Sequence, residues 1–359
     1  MKIKYTILII LLSTMSGCLQ DPEPVDVNFP INETGEMLWY LEEQGDFINT
    51  VMVESIIDAE DVYNSLGYSM IIDVREETVF NAGHIENAVN IRGESILDYI
   101  LNNNYESYSK VVLVSKTGEA ASYITSLLRL YGISNAYALR YGMASWNPNF
   151  SSIWWNAIND PYIVERFNNI TYDNFQNIPL PDISFGNNNG THQSKLEERI
   201  RLLLNEDFYE GTDKMKSSDV SIGLEYMDEF YDNFSESYQG FYVCCIIDYA
   251  LYWYERQGQL NADGHPPTTF VYQPLTPYFE LRSSSKLQTF PTDKTIILYD
   301  YNGHYSAAMT AYLRLLGYDA KSILFGYNRM HYERLLGYEV FWPYVFTGNS
   351  TKSYPYVVE

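Results

Sequence analysis

The clearest hydrophobic pattern in the chain lies between residues 110 and 132. Four consecutive apolar residues, Val111-Val112-Leu113-Val114, follow Lys110 and stop at the polar run Ser115-Lys116-Thr117-Gly118. Beyond it Tyr123, Ile124, Leu127, Leu128 and Leu130 recur at helical spacing up to Gly132. A short uninterrupted apolar run predicts a buried strand and the three-and-four spacing an amphipathic helix, so the segment reads as strand, tight loop, helix. A second strand and turn is predicted at Ile71-Ile72-Asp73-Val74-Arg75. Farther on, Leu196, Ile200, Leu203 and Leu204 share one face of a predicted helix over 194–204, with Ser194 and Glu197 spaced as a capping box.

The loop-and-helix pattern occurs twice. Ser115-Lys116-Thr117-Gly118 leads to Thr125, Leu128-Arg129-Leu130 and Gly132, and Asp300-Tyr301-Asn302-Gly303 leads to Thr310, Leu313-Arg314-Leu315 and Gly317, each member 185 residues after its counterpart. A fixed offset held from a loop through a helix to its terminating glycine predicts a duplicated unit. Ile246-Ile247-Asp248 then matches Ile71-Ile72-Asp73, and Gly258-Gln259-Leu260 falls where Gly83-His84-Ile85 would be, 175 residues on. The difference predicts an insertion, placed in the Pro-rich stretch from Pro266 to Pro277.

A loop that runs from a strand into a helix N-terminus gathers backbone N–H groups and the positive end of the helix dipole, which makes an anion cradle. In the first copy the cradle is Ser115, Lys116, Thr117, Gly118, Glu119 and Ala120; in the second it is Asp300, Tyr301, Asn302, Gly303, His304 and Tyr305. Ser115 is neutral and stands beside Lys116, so the first cradle is expected to be open to a small oxyanion such as sulfate or thiosulfate. Asp300 is itself an anion and is expected to plug the second. Asp300, His304 and His265 make a weak metal set, and a capping aspartate is the commoner role, so neither metal nor cofactor is expected.

The first copy carries four more motifs in order: Ile57-Asp58-Ala59-Glu60-Asp61-Val62, the Ile71–Arg75 strand, Ala82-Gly83-His84-Ile85 running to Ile91, and, after the loop, Tyr141-Gly142-Met143-Ala144-Ser145-Trp146. Together they closely resemble the rhodanese (sulfurtransferase) family, and the second copy resembles a more divergent member. The resemblance implies an α/β protein of two rhodanese-like domains, each a central, mostly parallel five-stranded sheet flanked by helices. It implies structural roles for Asp73, Arg75, Gly83 and His84, and for Asp248 in the second copy. The family's sulfur-accepting cysteine stands at the first loop position, which holds Ser115 and Asp300 here, and its arginine at the sixth position is Ala120. Neither replacement carries a persulfide, so no catalytic residue is expected and the resemblance points to a binding or interaction module. The rival readings are an enzyme that recruits an external thiol and a hydrolase using Ser115 with His84 as base and Asp73 orienting it.

Composition and chain ends refine this picture. The chain has 359 residues with 46% hydrophobic and 19% charged, enough for two cores, placed at 45–150 and 217–340 with a helix-bearing link at 151–216 and a tail at 341–359. Lys2 and Lys4, the apolar run Tyr5–Leu12 and Ser13-Thr14-Met15-Ser16-Gly17-Cys18 resemble a lipoprotein signal with Cys18 as the lipidated residue and a tether at 19–44; Met15 departs from the motif's usual Leu, and ordinary signal cleavage or an uncleaved anchor are the alternatives. The expected location is outside the cytoplasm, held to the membrane by lipid, with an envelope protein as the other candidate partner. A formal charge of −23, from 46 acidic against 23 basic residues, excludes a nucleic-acid partner, which needs a cationic face. Cys244 and Cys245 read as small packed side chains on opposite faces of a strand, with a vicinal disulfide as the alternative. Trp154-Trp155 read as packing of the link against the first domain. Sequons at Asn32, Asn149, Asn169, Asn189, Asn233 and Asn349 permit glycosylation.

Overall fold

A computed structural model describes residues 32–50, 55–159, 177–185, 190–211, 216, 218–224, 241–246, 269–270, 281–282 and 286–359. Cys18, Asp248, Gly258-Gln259-Leu260 and His265 lie outside these. Among the described residues no helix is long and apolar enough to cross a membrane.

The first half holds strands β1 (Ile56–Ile57), β2 (Ser69–Asp73), β3 (Val89–Asn90), β4 (Lys110–Val114) and β5 (Ala136–Leu139), all parallel, in the order β1-β5-β4-β2-β3. Its helices are α1 (Glu33–Glu43), α2 (Ala59–Asn64), α3 (Glu77–Asn81), α4 (Ser95–Asn102), α5 (Glu119–Tyr131) and α6 (Met143–Trp146). The linking segment adds α7 (Ser152–Asn159) and α8 (His192–Leu204). A second parallel sheet, β6 (Ser221–Ile222), β7 (Phe241–Cys245), β8 (Thr269–Phe270), β9 (Thr295–Tyr299) and β10 (Ala320–Ile323), repeats the order as β6-β10-β9-β7-β8. Helices α9 (His304–Leu315), α10 (Gly326–Met330) and α11 (Tyr332–Leu336) accompany it.

The unbroken apolar run of β4 is explained by burial on both faces, the usual situation in a helix-covered parallel sheet. Val111 and Leu113 point into the same large cluster as α5, and Val112 and Val114 into another around Met143 and Trp146. β9 splits the same way, Ile296 and Leu298 to the large cluster and Ile297 and Tyr299 to the other side. That large cluster is shared: α5 and α9 lie against one another, α8 packs on both, and the inner faces of the two sheets close over them.

Strand register corrects the alignment of the second half. Ile71 sits opposite Val112 and Val243 opposite Ile297, and Asp73 opposite Val114 as Cys245 is opposite Tyr299. The counterpart of Asp73 is therefore Cys245 rather than Asp248, because matching the string Ile-Ile-Asp shifted the strand by three residues. The consequence is chemical. Asp73 accepts from Arg75 Nε and Nη2 at 2.9 and 2.6 Å, and Arg75 Nη2 also donates to Gly83 O at 2.7 Å, all buried. Cys245 instead packs with Val243, Ile297 and Tyr299. Among the described residues Cys244 and Cys245 form no disulfide and lie in different clusters, on opposite faces of β7.

Three expectations about the connecting segments change. The tether over 19–44 gives way at Glu33 to α1, capped by Asn32 Oδ1, which accepts from Gly35 N at 2.8 Å; Met37, Leu38 and Leu41 are buried. The cap of α8 is Thr191, whose Oγ1 accepts from Ser194 N at 3.2 Å, so Ser194 is the third helical residue and not the start of a capping box. Trp154 does not pack against the first half alone but lies among Tyr141, Phe325 and Phe346, joining both halves and the tail. The tail itself returns to the first half: His84 and Val357 pair as an antiparallel bridge, Trp146 Nε1 donates to Pro355 O at 2.7 Å, and Tyr354 stacks on Tyr63 with centroids 4.1 Å apart.

The buried Asp73–Arg75 pair gives a sharp test, because removing one partner leaves the other's charge without compensation. Asp73→Ala should lower unfolding stability by about 3 to 5 kcal/mol in urea melts, because Arg75 then stays buried with no carboxylate against it.

Candidate functional site

The two loops have the same backbone construction. β4 ends at Val114 and α5 begins at Glu119; β9 ends at Tyr299 and α9 begins at His304. Gly118 and Gly303, just before the helices, have φ of +93° and +84°, a conformation that costs glycine least. Each loop's first carbonyl is anchored to a helix on the neighbouring connection: Met143 N donates to Ser115 O at 2.9 Å and Tyr327 N to Asp300 O at 2.8 Å. Gly142 and Gly326 allow that approach, since a Cβ on either would stand 2.3 Å from the same carbonyl oxygen.

Both cradles are filled by carboxylates. Asp300 Oδ1 accepts from Gly303 N at 2.6 Å and from Ser306 Oγ at 3.0 Å, and Oδ2 accepts from Tyr305 N at 3.1 Å. The plugged second loop is what the sequence predicts. The first loop is not open as expected: Glu210, from the segment after α8, places its carboxylate in it. Lys116 N donates to Glu210 Oε2 at 2.7 Å, and Ser115 Oγ, Thr117 Oγ1 and Ala120 N lie 2.8, 2.7 and 3.0 Å from Oε1. Ser115 Oγ also accepts from Gly118 N and Ala121 N at 3.1 and 3.2 Å, so donor and acceptor capacity are both used. Beside the plug lies a cleft of about 650 Å³ whose wall includes Arg75, Arg92, Lys116, Tyr123 and Lys216.

The first helical residue of each half reaches across to the other half. Glu119 Oε1 accepts from Phe325 N at 2.7 Å, and His304 Nε2 accepts from Tyr141 N at 3.0 Å. Tyr141 and Phe325 each precede the tight glycine of their half, so the two bonds form a reciprocal pair. The crossing leaves no room at the loop glycines: a Cβ on Gly303 would be 1.9 Å from Glu119 Oε1, and one on Gly118 would be 2.5 Å from His304 Nε2. Since His304 Nε2 accepts, its proton is on Nδ1, which donates to Asn302 Oδ1 at 2.9 Å. Burial, with Arg140 adding to it, pushes the imidazole down to about 3. Burial likewise pushes the carboxyls of Glu119 and Asp300 up, with Glu210 opposing ionisation of Glu119 as well.

The remaining predicted site residues are apart from this chemistry. His84 is stacked on Phe80, its Nδ1 3.1 Å from Phe80 O and its Nε2 3.8 Å from Glu359 Oε1, and Asp73 is occupied by Arg75. A Ser115–His84–Asp73 triad is not assembled. Tyr301 stacks on Tyr344, centroids 4.4 Å apart, and Tyr305 is buried. Asp300 and His304 turn to different partners, and among the described residues no group of three metal-ligating side chains comes together. Glu210 was missed because nothing in its sequence neighbourhood distinguishes it from the other acids of the linking segment.

Residues 57–149 match the family model of the rhodanese-like domain. No curated protein matches the chain. Solved structures with similarity include a rhodanese-related protein from Thermoplasma volcanium (24% identity, 25% of this chain and 88% of that one, TM-score 0.21). A rhodanese-like domain from Anabaena covers 37% of this chain and 98% of its own at 22% identity and TM-score 0.23. A thiosulfate sulfurtransferase from Pseudomonas aeruginosa covers 90% and 71% at 12% identity and TM-score 0.26.

The crossing histidine makes a pH prediction. A group whose folded pKa is depressed contributes stability that is complete above its unfolded value and is lost as pH falls. The wild-type advantage over His304→Ala should therefore be constant above about pH 6.5 and shrink by about 1.4 kcal/mol per unit as pH falls below it, read from urea melts at each pH.

Proposed function

We propose that this protein is exported and lipid-anchored, is built of two rhodanese-like halves of which the second is a divergent copy, and transfers no sulfur. In this reading both loops are structural keystones and the molecule acts as an interaction module for an envelope protein. The observation that supports it best is the occupation of both cradles by the protein's own carboxylates, at the positions where a sulfur-accepting thiolate would need the N–H groups. The two cysteines of the folded part cannot substitute, since both are buried and burial pushes the Cys244 thiol up to about 12. With Glu210 in place a small oxyanion has no free donor set in the first loop, so the envelope-protein partner is preferred over it.

The full chain should show no thiosulfate:cyanide sulfurtransferase turnover above a heat-killed control; turnover that persists in Cys244→Ser/Cys245→Ser would contradict the reading. Ser115→Cys alone should remain nearly inactive, because the adjacent Glu210 carboxylate disfavours a thiolate and Ala120 offers no cation. Adding Glu210→Ala should raise its turnover measurably, and equal rates for the single and double variants would show that Glu210 does not block the loop. Cys18→Ser should move the protein from membrane to soluble fractions or leave its signal uncleaved, as followed by fractionation and mass; unchanged partitioning and mass would refute the lipid anchor.

A further inference from the structure

In the first loop one threonine hydroxyl faces two carboxyl oxygens with a single hydrogen to give. Thr117 Oγ1 stands 2.7 Å from Glu119 Oε2 and 2.7 Å from Glu210 Oε1, and all three groups are buried. A threonine hydroxyl carries one hydrogen and can satisfy only one of two carboxylates. The other contact needs a proton on a carboxyl oxygen. We infer that Glu119 and Glu210 hold a single proton between them, that Glu119 carries it and donates from Oε2 to Thr117 Oγ1, which in turn donates to ionised Glu210, and that this proton locks the two halves together.

The assignment follows from the other donors. Glu210 receives Ser115 Oγ, Lys116 N and Ala120 N in addition to Thr117, the surroundings of a carboxylate. Glu119 receives only Phe325 N, and at Oε1, which leaves Oε2 as the oxygen with a proton to give. Thr117 Oγ1 has the acceptor capacity for this, since its other incoming contact is Glu119 N at a long 3.4 Å. The groups facing Glu119 are Thr117 on its own loop, Glu210 from the linking segment, Asp300 from the second loop and the Phe325 N–H before α10; His304, on α9, stands against Gly118. Both charged neighbours are acids and both oppose a second negative charge. Burial acts in the same direction.

Ionising Glu119 would turn the Thr117 contact into one between a carboxylate and an oxygen whose only hydrogen is already used. It would also add a buried charge against Glu210 and Asp300 at the point where the first half grips Phe325. The sign of the pH effect is that of an acid whose folded pKa is raised. Its contribution is complete below the ordinary carboxylate range and is lost as pH rises toward the folded value. The grip between the halves is accordingly tighter in acid than in alkali at this contact, the opposite of the His304 contact beside it.

Two glutamine substitutions in the full chain separate the possibilities. Glu119→Gln keeps a neutral group that can donate to Thr117 and accept from Phe325, so its Tm should match or exceed wild type, with the gap widening by about 2 °C or more between pH 5 and 8. Comparison with wild type removes the background effect of the chain's other acids. Glu210→Gln places an NH2 among donors and should lower Tm throughout that range or prevent folding. In the infrared, wild-type protein at pH 7 should show the carbonyl stretch of a protonated carboxyl that is absent from Glu119→Gln. The reverse ranking, with Glu119→Gln destabilised and Glu210→Gln tolerated, would overturn the assignment. A pH-independent gap, or no difference in the carboxyl band, would overturn the shared proton itself.

Discussion

A strand that turns directly into a helix leaves several N–H groups aimed at one small volume, and the fold is sound only if something there accepts from them. In both halves the acceptor is a carboxylate of the chain itself, Asp300 in one and Glu210 in the other. Hydrogen bonds to an ionised group are worth about 1.5 to 3 kcal/mol each, and donors left empty would cost a similar amount apiece, so these loops are among the most strongly determined points in the molecule. Because Glu210 belongs to the linking segment, filling the first cradle also fixes that segment against α5. The link is thus held by Glu210 at the loop and by α8 against α5 and α9.

The two loops reach the same end by different means, and side-chain length explains why. Asp300 stands at the loop's first position and is long enough to bring one oxygen to Gly303 N and the other to Tyr305 N. Ser115 at the same position reaches Gly118 N and Ala121 N but leaves Lys116 N and Ala120 N to an outside group. Glu210 supplies it. The crossing residues show the same logic with different chemistry, a buried carboxyl from the first half and a buried neutral imidazole from the second, each accepting an N–H that precedes a tight glycine. Each half therefore completes a turn of the other.

Much of this was legible in the sequence where it depended on local pattern. The apolar run of β4, the helical spacing of α5 and the paired glycines Gly118 and Gly303 sufficed to place both loops at helix starts, and Asp300 could be read as its own plug because its partners lie within six residues. What could not be read were contacts made by residues far apart. Glu210 meets Ser115 across 95 positions, Trp154 gathers residues from three parts of the chain, and Val357 pairs with His84. The Asp73 alignment failed for a different reason: a three-letter match outweighed strand register, and only hydrogen-bonded pairing shows that Cys245 holds that place.

That each loop is closed by an internal carboxylate is tested most directly by titrating sulfate or thiosulfate into the amide-labelled full chain and following the backbone N–H signals of Lys116, Ala120, Gly303 and Tyr305. The expected result is no saturable shift at any of the four. A saturable shift at Lys116 and Ala120 would mean that Glu210 yields its place to an external anion, and one at Gly303 and Tyr305 that Asp300 does; either would contradict the view that these cradles are filled from within.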